Sequence, residues 1–302
     1  MRILAVSVTF NPNTALLAEA LRSVAPQVQG LAVIDNGSAN AGDVRSLATT
    51  VGAHFVSNER NLGIAAAQNQ GVDLARTGGF SHILLLDQDT VLAPRTVADL
   101  SKNLVSLERQ LGCVAAIGPA YFEINTQQRS RAYRSHGLRI LRISLDPEAE
   151  PVASDTIIAS GSLIPLKVLN KVGGFKEDLF IDLVDVEWCF RARAAGYESF
   201  LSPTVTVEHH LGSSTIKIGT RGIAVHVPVR NYYWVRNAIW LARQPYTPLA
   251  WRLYFISRSL AFLAAYTTLV DQRMLRLRLI SRAIWDSLNG RFGPFGKIKR
   301  PH

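Results

Sequence analysis

The first 120 residues alternate between segments typical of β-strands and segments typical of α-helices, and this alternation constrains the fold more than any other feature. Residues 2–9 and 82–86 are short apolar runs rich in Val, Ile and Leu. Between such runs, segments such as 14–24 carry apolar residues at helical spacing. This pattern predicts an α/β fold with a mostly parallel central sheet and helices on both of its faces.

The pattern changes twice later in the chain. Residues 120–155 are polar and predict either a long excursion or a pair of strands. Residues 156–164 predict an apolar strand interrupted by Ser160-Gly161-Ser162. From Asn231 onward the spacing of apolar residues predicts helices only.

Positive charge is concentrated in this last region. The chain has 33 Lys and Arg residues and 23 Asp and Glu residues, a net charge of +10. Residues 230–302 hold 13 basic residues and 2 Asp, a balance of +11, which leaves −1 for residues 1–229. We therefore divide the chain into a nearly neutral domain, residues 1–229, and a basic amphipathic helical region, residues 230–302. A basic surface suits nucleic acid, anionic lipid or a phosphorylated substrate.

The pattern of these charges disfavours nucleic acid. The basic residues of the C-terminal region are interleaved with Trp, Phe and Leu, and the sequence carries no helix-turn-helix, zinc-finger or RRM signature. Cationic residues beside large apolar ones suit the surface of an anionic membrane. We expect peripheral membrane contact and no nucleic acid. An interface between copies of the chain, in a homo-oligomer, would show the same pattern.

Cysteine content and hydropathy predict a cytoplasmic protein. Cys113 and Cys189 cannot form a disulfide framework. The apolar N-terminal run meets Asn11-Pro12 too early for a signal-peptide core. The longest apolar stretch near the C-terminus spans only residues 260–270, whereas a membrane-spanning helix needs about 20 residues. We expect the chain at the inner face of the cytoplasmic membrane, without crossing it.

Polar loops that follow the predicted strands are the places to look for a site, because ligands of parallel sheets bind at the carboxyl ends of strands. Asp87-Gln88-Asp89 follows one strand, and its two carboxylates suit Mg²⁺ or Mn²⁺. The alternative is a helix cap. Asp35-Asn36-Gly37-Ser38 follows another strand; it predicts a turn, or a carboxylate that accepts the N3–H of a pyrimidine.

Three further segments carry polar residues of interest. Residues 61–71 predict a helix whose N-terminus favours a diphosphate, although they match neither a P-loop nor a dinucleotide fingerprint. In residues 180–191, acidic side chains cluster at a helix start, where they stabilise the helix dipole or provide a general base. His209 and His210 are adjacent on a predicted strand, so only one of them would face a site.

Taken together and in this order, these motifs resemble family 2 glycosyltransferases with the GT-A fold, and most nearly bacterial rhamnosyltransferases. The resemblance covers residues 3 to about 215 and elements at residues 230–237. The matching motifs are Val8-Thr9-Phe10-Asn11, Val33-Ile34-Asp35-Asn36-Gly37-Ser38, Asn61-x-Gly63-x-Ala65-x-x-x-Asn69-x-Gly71, Asp87-x-Asp89 and Asp185-x-Glu187-Trp188-x-x-Arg191.

The resemblance implies a role for each matching residue. Residues implied for the nucleotide sugar are Thr9, Asn11, Asp35, Asn36, Asn61, Gly63, Asn69, Asp87 and Gln88, with the Asp35 carboxylate on the pyrimidine. Asp89 would hold Mg²⁺ or Mn²⁺ on the diphosphate, with His209 or His210 as a further contact. Asp185 would be the general base. Residues implied for the acceptor or for support are Asp182, Glu187, Trp188 and Arg191.

One position departs from the family. Many members have Glu-Asp before the helix, but here Val184 precedes Asp185, so Asp182 is the alternative base. The function implied is an inverting, metal-dependent transfer of L-rhamnose from dTDP-L-rhamnose to a lipid-linked glycan such as O-antigen or capsule. A UDP-hexose or UDP-galactofuranose donor is the alternative, because no residue fixes thymine over uracil. A nucleic-acid-binding protein and a catalytically dead lipid-bound scaffold are the alternatives outside the enzyme class.

Overall fold

The computed structural model describes residues 1–123, 128–209, 215–218, 221–224, 227–268 and 271–296. The strands are β1 Ile3–Thr9, β2 Gly30–Asp35, β3 His54–Ser57, β4 His82–Asp87, β5 Val114–Glu123, β6 Gln128–Arg129, β7 Arg131–His136, β8 Arg139–Ser144, β9 Val152–Ser154, β10 Leu163–Pro165, β11 Glu198–His209, β12 Thr215–Ile218 and β13 Arg221–Ala224. The helices are α1 Thr14–Val24, α2 Ala41–Thr50, α3 Ile64–Thr77, α4 Thr96–Leu111, α5 Leu166–Val172, α6 Val184–Ala194, α7 Pro228–Ala242, α8 Leu249–Thr268 and α9 Arg273–Leu288.

The central sheet has the strand order β3-β2-β1-β4-β10-β5-β11-β9. β1 is parallel to both β2 and β4, and β2 is parallel to β3. β10 runs antiparallel between β4 and β5, and β9 is antiparallel to β11. The predicted α/β fold with a mostly parallel sheet is confirmed. The register places Thr9 beside Asp35 and Val8 beside Asp87, so three strand ends meet at one edge.

The sheet is buried on both faces because its strands alternate between two apolar cores. On one face, Val6 and Val8 of β1 pack with residues of α3, α5 and α6. On the other, Ile3 and Ala5 pack with residues of α1, α2 and α4. Burial on both faces explains why these strands read as continuous apolar runs.

The polar excursion contains the pair of strands that was one of its two predicted forms. β7 and β8 form an antiparallel hairpin, and Tyr133 of β7 makes an edge-on contact with Trp251 of α8 at 6.1 Å between ring centroids. Of the interrupted apolar strand predicted over residues 156–164, only its end forms a strand, as part of β10, Leu163–Pro165; the predicted strand over residues 156–159 is wrong. Gly161 has φ +79°, and a Cβ there would lie 2.7 Å from Pro119, so the chain turns at this glycine. The turn brings Ser160 and Gly161 beside the end of β4.

The C-terminal helices α7, α8 and α9 pack around a core that includes Tyr232, Val235, Ile280 and Ala283. In the part of the chain that the structure describes, no helix is both long and apolar enough to cross a bilayer. The division of the chain at residue 229 stays a prediction.

Candidate active site

A cavity of about 390 Å³ opens at the edge where β1, β2 and β4 end. It is lined by residues from these strand ends, from the loop before α3, from the loop before α6 and from the start of α7. The lining residues are Val8, Thr9, Phe10, Asn36, Asn61, Gly63, Ile64, Asp87, Gln88, Asp89, Thr90, Phe180, Ile181 and Arg230. Seven of the sequence-predicted residues are in this set: Thr9, Asn36, Asn61, Gly63, Asp87, Gln88 and Asp89.

The acidic turn after β4 is fixed to its neighbours. Gln88 Oε1 accepts a hydrogen bond from the Phe10 backbone N–H at 2.8 Å, which ties this turn to the end of β1. The Thr90 and Ser160 hydroxyls hydrogen-bond each other at 2.5 Å. The Asp89 side chain is exposed on the cavity and has no hydrogen-bond or ion-pair partner among the described residues.

This turn offers the donor atoms that a hard cation requires. Asp87 and Asp89 supply carboxylate oxygens to the same cavity, and Mg²⁺ and Mn²⁺ favour such ligands. No group of three or more His, Cys, Asp or Glu side chains forms a cation cage in the described segments. A bound cation would therefore take its remaining ligands from substrate oxygens and water. The His209 side chain and all of His210 lie outside the described residues.

Asp35 and Asn11 hold the turn after β2 in place by accepting hydrogen bonds from its backbone. The Thr9 hydroxyl and the Ser38 backbone N–H each donate to the Asp35 carboxylate at 3.0 Å, and Asp35 is fully buried. Asn11 Oδ1 accepts the Ala39 N–H at 2.8 Å. Asp35 and Asn11 do not line the cavity.

Asn36, the next residue after Asp35, connects this turn to the loop before α3. Its side-chain amide donates to Asn61 Oδ1 and to the Gly63 carbonyl, both at 3.1 Å. Gly63 has φ +92°, and a Cβ there would lie 2.6 Å from the Phe180 carbonyl oxygen. The Ile64 N–H donates to that same carbonyl at 2.7 Å. Only glycine therefore permits the close contact between the start of α3 and the loop before α6.

The loop before α6 has an unusual backbone. Phe180, Asp182 and Leu183 all have positive φ, at 65°, 67° and 62°, a conformation that non-glycine residues rarely adopt. The side-chain amide of Asn237, on α7, holds this loop by donating to the carbonyls of Leu179, Ile181 and Asp182 at 2.8–3.0 Å. Helix α7 therefore fixes the wall of the cavity that Phe180 and Ile181 form.

Asp182 and Arg230 form an ion pair beside the cavity. Arg230 Nε donates to Asp182 Oδ2 at 2.8 Å, and the Arg230 Nη2 donates to the other carboxylate oxygen. Burial disfavours the charge of Arg230, but the hydrogen bonds and the charge of Asp182 outweigh it, so the pKa of Arg230 is raised.

Asp185 lies in the first turn of α6, close to the acidic turn after β4. Its carboxylate accepts the Val186 N–H at 2.8 Å and the Ala159 N–H at 3.2 Å. Its surroundings, which include Leu85 and Ile158, are apolar. Burial in this setting raises the pKa of Asp185 to about 6. The backbone hydrogen bonds oppose this shift, and the charge of Asp87 adds to it. A carboxylate with this pKa is mostly ionised near pH 7 and still able to accept a proton.

Four other predicted residues make contacts within the protein. Glu187, buried, forms a two-pronged ion pair with Arg191 at 2.8 Å and accepts the Tyr246 hydroxyl at 2.9 Å. Trp188 Nε1 donates to the Gly173 carbonyl at 3.0 Å. Asn69 exchanges two hydrogen bonds with the Phe175 backbone, at 2.8 and 2.9 Å. None of these four side chains lines the cavity.

Some lining residues were not predicted as site residues from the sequence. Phe180 and Ile181 precede the acidic stretch, and Arg230 is 48 positions beyond Asp182. Phe180 begins the segment 180–191, in which the sequence analysis identified an acidic cluster, and this position was the available signal for it. Arg230 belonged to a matched element to which no role was attached, and only the packing of α7 brings it to the cavity.

Comparison with known sequences identifies one family and one similar enzyme. The family description "Glycosyl transferase family 2" matches residues 5–160. A dTDP-rhamnosyl transferase, RfbF, of Shigella flexneri is 31% identical over 273 residues, which cover 89% of this chain and 88% of the relative.

Solved structures share the fold at low identity. TarS residues 1–349 of S. aureus in complex with UDP-GlcNAc superimposes with a TM-score of 0.59 at 13% identity, covering 96% of this chain and 81% of that one. GalNAc-T7 with UDP, GalNAc and Mn²⁺ gives a TM-score of 0.58 at 14% identity, covering 96% of this chain and 57% of that one. With its GT-A-like sheet and the sequence match over more than half of its length, the chain belongs to glycosyl transferase family 2.

Proposed function

We propose that this glycosyltransferase transfers L-rhamnose from dTDP-L-rhamnose to a hydroxyl group of a bacterial cell-surface glycan, with inversion at the sugar carbon. The observation that carries the proposal is the position of Asp185. Its carboxylate, with a pKa raised to about 6, lies near the acidic turn Asp87–Asp89 that lines the cavity. The similarity to the Shigella flexneri dTDP-rhamnosyl transferase supports the choice of sugar and nucleotide.

In this proposal the nucleotide sugar occupies the cavity. Asn36, Asn61 and Gly63 contact the nucleotide and diphosphate, and Asp87 and Gln88 face the ribose or the sugar. Thr9 and Asp35 form the base end, where the buried Asp35 carboxylate has to become accessible, in addition to its bonds from Thr9 and Ser38, to accept a hydrogen bond from the pyrimidine. Asn11 and Asn69 shape this pocket through the turns that they hold.

The donor atoms of the acidic turn fit Mg²⁺ or Mn²⁺. Asp89 would hold the cation, with Asp87 beside it and His209 or His210 as a further contact. Bound there, the cation supplies charge neutralisation to the departing diphosphate.

Asp185 is the proposed general base. It removes the proton from the acceptor hydroxyl while that oxygen attacks the sugar carbon and the bond to the diphosphate breaks. The apolar surroundings favour the protonated product form of Asp185, which helps the transfer. We prefer Asp185 to Asp182 because burial raises the pKa of Asp185 to about 6, a value that suits a general base near neutral pH.

The acceptor in this proposal is lipid-linked, and the C-terminal helices bring the enzyme to the inner face of the cytoplasmic membrane. Helix α8 exposes a stripe at helical spacing: Leu249, Leu253, Ile256 and Leu260, with 46–61% of each residue's surface accessible. Helix α9 exposes apolar side chains beside exposed arginines: Met274, Leu275, Trp285 and Leu288 with Arg273, Arg278 and Arg282. Apolar and cationic groups on one surface suit anionic lipid.

A donor comparison tests the function. The enzyme is incubated with Mn²⁺, a lipid-linked bacterial glycan fraction, and dTDP-L-rhamnose, UDP-glucose or UDP-galactofuranose. We expect incorporation of rhamnose and release of dTDP, both lost in Asp185→Asn. Incorporation from a UDP-sugar alone would keep the enzyme class and replace the donor, and no incorporation from any donor, despite folded enzyme, would count against the proposal.

A further inference from the structure

The part of the cavity wall that the structure describes is strongly acidic. Asp87 and Asp89 line the cavity, and Asp182 and Asp185 lie close by. Among the described residues that line it, Arg230 is the only one with a positive charge. A ligand that carries a diphosphate would meet electrostatic repulsion from these carboxylates, so cationic groups have to offset it.

The guanidinium of Arg230 binds a carboxylate in the same arrangement in which arginine binds a phosphate. Asp182 accepts two parallel hydrogen bonds from it, from Nε at 2.8 Å and from Nη2. Arginine forms this same two-pronged arrangement with carboxylates and with phosphates. Arg230 lines the cavity and its side chain is 36% exposed, whereas that of Asp182, which is not a lining residue, is 14% exposed.

Arg230 is held by the same structure that shapes the cavity. It occupies the first turn of α7, the helix that also carries Asn237. Asn237 fixes the Asp182 backbone through its carbonyl at 2.8 Å. The two members of the ion pair are therefore set against each other by one helix.

Resting on the proposed function, we infer that Arg230 binds the diphosphate of the nucleotide sugar and that Asp182 occupies its guanidinium when no nucleotide is bound. Entry of the donor exchanges one anion for another at Arg230. The C-terminal helical region thus supplies a donor-binding residue, and Asp182 competes with the diphosphate for it.

Titration calorimetry with dTDP and with inorganic pyrophosphate, in Mn²⁺, tests this exchange. Arg230→Ala should weaken dTDP binding by about 10- to 100-fold, the range of a charged hydrogen-bonded contact, and Arg230→Lys should weaken it less. Asp182→Asn should tighten the binding of both ligands several-fold, because it removes the competing carboxylate. Arg109→Ala, which removes an exposed arginine of α4, is the matched control and should bind like the wild type.

The outcomes separate this inference from the function on which it rests. Wild-type affinity for dTDP in folded Arg230→Ala overturns the inference while leaving the proposed donor in place. Weaker pyrophosphate binding in Asp182→Asn overturns the competition, and this readout remains if Arg230→Ala does not fold. Failure of the wild type to bind dTDP or UDP overturns the proposed function and the inference together.

Discussion

Asn237 of α7 donates a hydrogen bond to the Asp182 carbonyl at 2.8 Å, so a residue of the C-terminal helices fixes the loop that precedes the proposed base. Arg236, its buried neighbour, donates to the Leu179 carbonyl of the same loop at 2.8 Å. The basic region is therefore bound to the loop before α6 through buried polar contacts, in addition to the membrane contact proposed for it.

Removing this contact should both destabilise the protein and impair the site. Asn237→Ala removes the side-chain donor of the Ile181 and Asp182 carbonyls, whereas the Leu179 carbonyl keeps Arg236; this should lower the free energy of unfolding by about 2–4 kcal/mol. Urea unfolding measures this loss. Asn289→Ala removes a single exposed contact to Trp285 and should leave stability nearly unchanged; equal losses in the two variants would contradict the role given to Asn237.

The pKa of Asp185 predicts the pH dependence of the reaction. Because the proposed base has to be ionised, kcat should rise as the pH increases through about 6 and level off above it. Asp185→Asn should lower kcat by at least about 100-fold and keep dTDP affinity. A wild-type profile that is flat between pH 5 and 8 would argue against Asp185 as the base.

The same shift predicts a stability effect of defined sign. The folded-state pKa of Asp185 is raised above 3.8, so between about pH 4 and 6 the folded state binds more protons than the unfolded state. The contribution of Asp185 to stability is therefore present below this window and lost as the pH rises through it. Relative to wild type, Asp185→Asn should gain stability from pH 4 to 6; a difference that is constant over this range would exclude the raised pKa.

Glu187 is expected to act on stability and to spare the chemical step. It is 1% exposed and accepts from Arg191 and Tyr246, so Glu187→Ala deprives the partly buried Arg191 of its carboxylate and Tyr246 of its acceptor, at a cost of about 1.5–3 kcal/mol. Thermal unfolding should show a clear decrease in Tm. Glu19→Ala, on the exposed surface of α1, is the control and should change stability by less than about 0.5 kcal/mol.

Membrane binding should depend on the exposed stripe of α8. Leu253→Glu combined with Leu260→Glu adds negative charge to that stripe and should abolish co-flotation with anionic phospholipid vesicles. Leu16→Glu on α1 has a similar exposure at its position, 45% against 46% for Leu253, and should float like the wild type. If the double variant still floats but a dimer seen for the wild type dissociates, the stripe is an interface between copies.

Local sequence patterns were sufficient to predict the strands and helices of the α/β sheet. The spacing of apolar residues predicted a helix over 14–24, and α1 has these same bounds. The predicted run 2–9 corresponds to β1, Ile3–Thr9. These elements could be predicted because each buries a regular set of side chains, and such regularity is visible within a short window.

The parts that could not be predicted depend on contacts between distant residues. The sequence predicted an interruption at Ser160-Gly161-Ser162 within an apolar strand, but not that Gly161 turns the chain against Pro119, which leaves only the end of that segment in the sheet. The sequence around Asp35 does not reveal that both carboxylate oxygens are bound by Thr9 and Ser38. Arg230 reaches the cavity only because α7 packs on the loop before α6.

The most direct test of the account is a thermal-shift measurement with dTDP, UDP, GDP, ADP and NAD, each with and without Mn²⁺. A ligand that binds only the folded state at 100 times its Kd adds about 2.7 kcal/mol of stability. We predict a shift with dTDP that requires Mn²⁺, exceeds the shift with UDP and is lost in Asp89→Ala. No shift with any nucleotide, in a sample that unfolds cooperatively, would contradict a nucleotide-sugar-dependent transferase.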